Sequence, residues 1–245
     1  MIIWLACILQ SVLEPSQISL GTSFDTNVHV DVRITYPKLA ELSELPRYVN
    51  ETLRQEAVTL HNDFVEEMRA PVVELWEEDI NERMLSYSLH LVYKKPHLLE
   101  FYGHEYRYTG GAHGGVSYIT KVFWQNGDDI SELALDNLLV PNGRDILYRY
   151  CSNYFKANRW GYYSDDDMGD WDPFQPEHLD AFLLTDEGLL LIFQNYTVCG
   201  LMDEPITLLI HYDKITSIAN PDGVLTLYLR PMSSEPDPQL TNARL

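Results

Sequence analysis

Four glycines, Gly110, Gly111, Gly114 and Gly115, surround His113, and glycine at that density can cradle a phosphate with backbone N–H groups. A cradle of that kind needs a helix N-terminus directly after it and usually a lysine, whereas Val116-Ser117-Tyr118-Ile119-Thr120 continues in strand chemistry. The segment is therefore expected to be a structural joint, with Tyr108, Gly110, Gly111 and His113 shaping a tight connection. Ser-His-Asp catalysis would need a nucleophile elbow, and no G-x-S-x-G occurs. H-E-x-x-H is also absent; Glu177-His178 lacks a second histidine at helical spacing. His104 and His113 could form a two-histidine half-site if their strands bring them together. Cys7, Cys151 and Cys199 form no C-x-x-C, so neither a structural metal nor a cofactor is expected. Cys151 and Cys199 stand as either one disulfide or buried free thiols.

The other chemically dense stretch runs from Trp160 to Phe174. Asp165, Asp166 and Asp167 resemble a calcium loop only in composition, because Gly169 falls one position early and no glutamate closes the loop. Rings rimmed by carboxylates suit a protein or sugar contact, which makes Trp160, Tyr162, Tyr163, Asp165, Asp166, Asp167 and Trp171 the candidate binding residues. The same rings could instead plug the edge of a core.

The elements that must position these residues are legible in the apolar periodicity. Val28 to Tyr36 alternates as a half-buried strand ending at Pro37. Leu45, Val49, Leu53, Ala57, Leu60, Phe64 and Met68 recur at three- and four-residue spacing, with Ser43 available to cap, Pro46 in the first turn and Pro71 as a stop. Met84 to Lys95, His97 to Thr109 and Gly114 to Gln125 read as an antiparallel meander, with Asn126-Gly127 turning the chain sharply after it. Gly143 to Trp160 has a second helical pattern. Ala181 to Leu184 and Leu189 to Phe193 flank a Thr-Asp-Glu-Gly hairpin turn, and Ile206 to Tyr212 and Val224 to Leu229 supply further strands. Runs of strands with helices packed on one face predict an α+β fold of antiparallel sheets in two closely associated subdomains.

The 245 residues carry 37 acidic and 17 basic side chains, a formal net charge of -20. A phosphate backbone would be repelled by that field, so no nucleic acid partner is expected; a basic protein would be steered in. The apolar run Ile2 to Leu9 is too short to span a bilayer and is expected to be either a truncated signal or anchor segment or a first strand within residues 1–24.

Three stretches together resemble the extracytoplasmic domain shared by RsiV-like anti-sigma factors and the N-terminal region of PdaC-type deacetylases, a family otherwise of unknown function. They are Val32-Arg33-Ile34-Thr35-Tyr36-Pro37 with Val49-Asn50, then Tyr106 to His113 followed by Asp129 to Leu139, and Phe182 to Tyr196. After Tyr196 the sequence departs from the family's small-residue turn, with Cys199-Gly200-Leu201-Met202-Asp203-Glu204-Pro205 in its place. The resemblance implies a PdaC-like subdomain over 25–112 and an RsiV-like subdomain over 113–230; beyond them, Ser233, Ser234, Pro236 and Pro238 with little apolar content predict a flexible tail over 231–245. It also implies an extracytoplasmic, non-catalytic binding domain, with a basic protein such as lysozyme as partner. A cell-wall glycan is the alternative ligand, and a hydrolase centred on His113 the remaining one. The sequence contains no deacetylase domain, so that activity is not expected.

Overall fold

The computed structural model describes residues 15–23, 29–69, 82–110, 113–164, 174–199 and 205–229. Six strands, β1 (Pro15–Ser23), β2 (His29–Pro37), β3 (Glu82–Lys95), β4 (Leu98–Tyr108), β5 (Gly115–Asn126) and β6 (Asp129–Glu132), form one sheet in chain order. Every neighbouring pair is antiparallel except β2 with β3, which is parallel with Val32 opposite Leu85. A parallel pair needs a long crossover, and helix α1 (Glu44–Arg69) lies within it. The β5–β6 turn holds Gly127 at φ +63 in the first of two loop positions, with Asn126 paired to Asp129. Glycine there gives the twist that a tight hairpin requires.

Leu45, Val49, Leu53, Ala57, Phe64, Val65 and Met68 form the buried stripe of α1. It covers Val30, Val32 and Ile34 of β2, Leu85, Tyr87 and Leu89 of β3, Leu99 and Phe101 of β4 and Phe123 of β5. Alternation sends Leu98 and Val122 through to the opposite face, where a second core begins.

That second core is built by the short helix α2 (Leu135–Leu138), α3 (Gly143–Asn158) and a three-stranded antiparallel sheet of β7 (Phe182–Leu184), β8 (Gly188–Phe193) and β9 (Ile206–His211), closed by α4 (Tyr212–Ile215). The β7–β8 hairpin forms at the expected turn, where the Thr185 hydroxyl accepts from the backbone N–H groups of Glu187 and Gly188. The strand expected over Val224 to Leu229 is instead a 3-10 turn over Val224–Leu227. Its adjacent residues Val224 and Leu225 are both buried, a pattern that alternation cannot produce, and the Thr226 hydroxyl donates back to the Gly223 carbonyl at 2.8 Å.

Side chains tie the two sheets together. Beyond the reach of β6, the edge of β5 is covered by Gln194, whose Oε1 accepts from the Tyr118 N–H at 2.7 Å and whose Nε2 donates to the Tyr118 carbonyl at 2.6 Å. Phe182 N–H donates to the Thr120 hydroxyl, and Leu184 N–H donates to Glu100 Oε2. The β4–β5 ladder joins residues on both sides of His113, pairing Arg107 with Gly115. Among the described residues, no helix is long and apolar enough to cross a membrane.

Candidate functional site

The described part of the aromatic segment is positioned by the end of α3. Arg159 takes a left-handed conformation (φ 53) and donates to the Lys156 carbonyl, while Trp160 N–H reaches the Phe155 carbonyl at 3.1 Å. This paired closure normally brings an apolar contact between the two residues that its longer bond joins. Here the Trp160 ring stacks on Phe155 with centroids 5.9 Å apart. Tyr163 lies nearly parallel to Phe155 at 6.3 Å, under the Lys156 ammonium at 5.6 Å. Phe174 is fully buried between Tyr148, Phe155 and Phe193. Trp160 and Tyr163 thus have a structural task, sealing the second core around Phe155. Asp165, Asp166, Asp167 and Trp171 lie outside the described residues.

The outer ledge of the segment carries Tyr162 and Tyr196. Gly161 (φ +53) lies against Val198, whose carbonyl oxygen would stand 2.2 Å from any added Cβ, and Tyr162 N–H donates to that same carbonyl at 2.9 Å. Burial raises the Tyr162 phenol above its ordinary value, with Cys199 and Tyr196 near enough to add to the shift. Tyr196 is 56% exposed, yet its φ is +66 in a Gln194–Thr197 turn closed by Thr197 N–H on the Gln194 carbonyl. A turn with positive φ at its third residue alone favours glycine, so an exposed tyrosine there is held against its backbone preference. Sequence reasoning placed Tyr196 in a family motif and missed it as a surface residue, because nothing in the sequence shows which turn residue will be left-handed.

At the joint, Gly110 has φ +106, Tyr108 ends β4 and Gly111 lies outside the described residues. His113 is exposed, with its Nδ1 3.2 Å from the Gly114 carbonyl. The half-site of His104 and His113 does not form. The register pairs His104 with Tyr118 and Arg107 with Gly115, which leaves His113 beyond the ladder, on the order of 15 Å along the strand from His104. His104 instead contacts the Ser88 hydroxyl at 3.2 Å. Of the two alternatives for Cys151, the buried free thiol holds, and burial pushes it up to about 12.

Two further polar clusters were not legible in the sequence. Where the sheets meet, Tyr93 donates to Asp186 at 2.7 Å, Lys95 reaches the same carboxylate at 3.3 Å, and Tyr212 donates to the Thr185 carbonyl. The Tyr93 hydrogen bond, then Lys95, hold the Asp186 carboxyl below its ordinary range. Beside them Glu100 is 1% exposed, and burial pushes its carboxyl up to about 8 despite the Leu184 N–H that favours the ionised form. On the other face, α1 and the β5–β6 end enclose an open groove of about 560 Å³ lined by Tyr48, Glu51, Thr52, Gln55, Thr59 and a partly exposed ion cluster of Glu56, Lys121 and Glu132. In that cluster Lys121 lies 3.0 Å from both Glu56 and Glu132. Burial alone would pull the ammonium down; the two carboxylates outweigh it and hold it above its ordinary value. Among the described residues, no group of three or more histidine, cysteine or carboxylate side chains could hold a metal ion.

Residues 136–213, from α2 to the start of α4, match a family described as a protein of unknown function, DUF3298. Two solved structures share the fold. A DUF3298 family protein from Pseudomonas aeruginosa PAO1 is 16% identical, with 86% of this chain and 96% of that one covered at a TM-score of 0.58. A DUF3298 family member from Bacteroides fragilis NCTC 9343 is 17% identical, with 85% and 94% covered at a TM-score of 0.52. No curated protein matches the chain.

Proposed function

We propose that this chain is a non-catalytic binding domain of the bacterial cell envelope, RsiV/PdaC-like and extracytoplasmic, whose aromatic ledge docks a basic protein of the lysozyme type. The observation that carries the reading is Tyr196, more than half exposed on a left-handed backbone beside Tyr162. A ring held in solvent at the expense of backbone comfort is a common mark of a contact surface. The net charge of -20 supports a cationic partner, and Asp165, Asp166 and Asp167 follow the ledge directly in sequence. Trp160 and Tyr163 serve as the packed base on which the ledge stands.

Immobilised full-length chain exposed to hen-type lysozyme should bind at low ionic strength and lose affinity as salt rises. Tyr196→Gly should weaken that binding by about tenfold or more, the effect of removing an interface anchor. No response at low salt would sink the lysozyme reading. The α1–β5–β6 groove favours a second reading, a cell-wall glycan, because Tyr48 is 41% exposed next to hydroxyl, amide and carboxylate side chains. Co-sedimentation with insoluble cell wall, lost in Tyr48→Ala and kept in Tyr196→Gly, would select it.

A further inference from the structure

We infer that Arg83 is the receptor for an oxyanion, a carboxylate or phosphate group offering two oxygens, bound beneath the joint between β4 and β5. Arg83 is the second residue of β3, paired with Val30, and alternation puts it on the α1 side of the sheet with Leu85, Tyr87 and Leu89. It is only 5% exposed. Its Nη1 donates to the Thr109 carbonyl at 2.9 Å and lies 3.4 Å from the Met68 sulfur. Nε and Nη2 are buried and have no hydrogen-bond partner among the described residues.

Burying a guanidinium charge without a counter-ion is costly. The pattern of what is satisfied identifies the ligand. Nη1 is taken up by the chain's own carbonyl, while Nε and Nη2 form the side of the planar fork whose two N–H bonds run parallel. That edge matches the paired oxygens of a carboxylate or phosphate, and no single-oxygen acceptor uses it fully. The carbonyl that Arg83 holds belongs to Thr109, immediately before Gly110 with its φ of +106. An oxyanion on the free edge therefore braces the glycine joint, the start of β3 and the last turn of α1 at Met68 as one unit. A chain of net charge -20 repels anions on average, so uptake at this place depends on the one buried guanidinium.

Thermal unfolding of the full chain, with sodium chloride replaced by sodium acetate or sodium phosphate at constant ionic strength, tests the assignment. The midpoint should rise saturably with at least one of the two anions. Acetate alone would identify a carboxylate ligand, phosphate alone a phosphoryl group, and either supports the site. Arg83→Lys keeps the charge but loses the parallel edge, so the fitted affinity should fall about tenfold. Arg83→Met should abolish the rise; if that variant does not fold, the lysine variant decides. Equal rises in wild type and Arg83→Lys place the anion elsewhere and overturn the inference, as does the absence of a saturable rise with both anions.

Discussion

At the scale of single residues, burial decides chemistry that sequence spacing leaves open. Glu100 carries a carboxyl pushed up to about 8 because it is buried at the meeting of the two sheets, with one oxygen on the Leu184 N–H and the other without a partner among the described residues. Its folded pKa lies above its unfolded value, so the native state holds a proton that the unfolded chain releases. The contribution of Glu100 is intact below the ordinary carboxylate range, is lost as pH rises towards about 8, and is flat above that. The loss is on the order of 3–5 kcal/mol. Urea denaturation at about pH 5 and about pH 9 should show Glu100→Gln losing less stability than wild type by that order; equal losses would refute the assignment. Tyr196 illustrates the reverse case, a side chain whose identity was plain and whose exposure was not. Its proximity to Tyr162 depends on Gly161 bringing the end of α3 against Val198.

At the scale of elements, the helices and most strands follow their periodicity, and the exceptions have local causes. The stripe of α1 is as the spacing predicts from Leu45 to Met68, except that Leu60 is only half-buried. Val224 to Leu229 has the composition of a strand, but Gly223 and the Thr226 hydroxyl close it into a 3-10 turn that buries two neighbours on the same side. The end of α3 is decided by the left-handed Arg159 and then by Gly161, which no side chain can replace without meeting the Val198 carbonyl. Gly161→Ala should lower stability by about 2–3 kcal/mol through both strain and the close approach. It should also weaken partner binding in parallel, since Tyr162 is displaced with it. A full-strength complex in a destabilised Gly161→Ala protein would show that the ledge is not the contact surface.

At the scale of the whole molecule, two cores share one sheet. Phe101 and Phe123 face α1, while Leu98, Glu100 and Val122 serve the other side, so β4 and β5 are a wall common to both. The second core therefore borrows from a strand that precedes His113. A fragment beginning at His113 lacks Leu98 and the Glu100 acceptor for Leu184 N–H, and its β5 has no β4 to pair with. That fragment should unfold without a cooperative transition, whereas the full chain should show one; a sharp transition in the fragment would establish the second core as self-sufficient. The charge of -20 acts at this scale too, as an average field that repels anions and attracts cations.

The sequence by itself determined the α+β class, the long amphipathic helix, the β3–β4–β5 meander and the β7–β8 hairpin, because each follows from short-range periodicity or turn chemistry. Only the tertiary structure decided that β2 and β3 run parallel, that Trp160 seals a core while Tyr196 meets solvent, that Arg83 and Glu100 are buried, and that Lys121 is half-buried between two carboxylates. Those outcomes depend on which distant strand or helix comes to lie against each residue. Local spacing carries no record of that, since burial is a property of the neighbours and only secondarily of the residue.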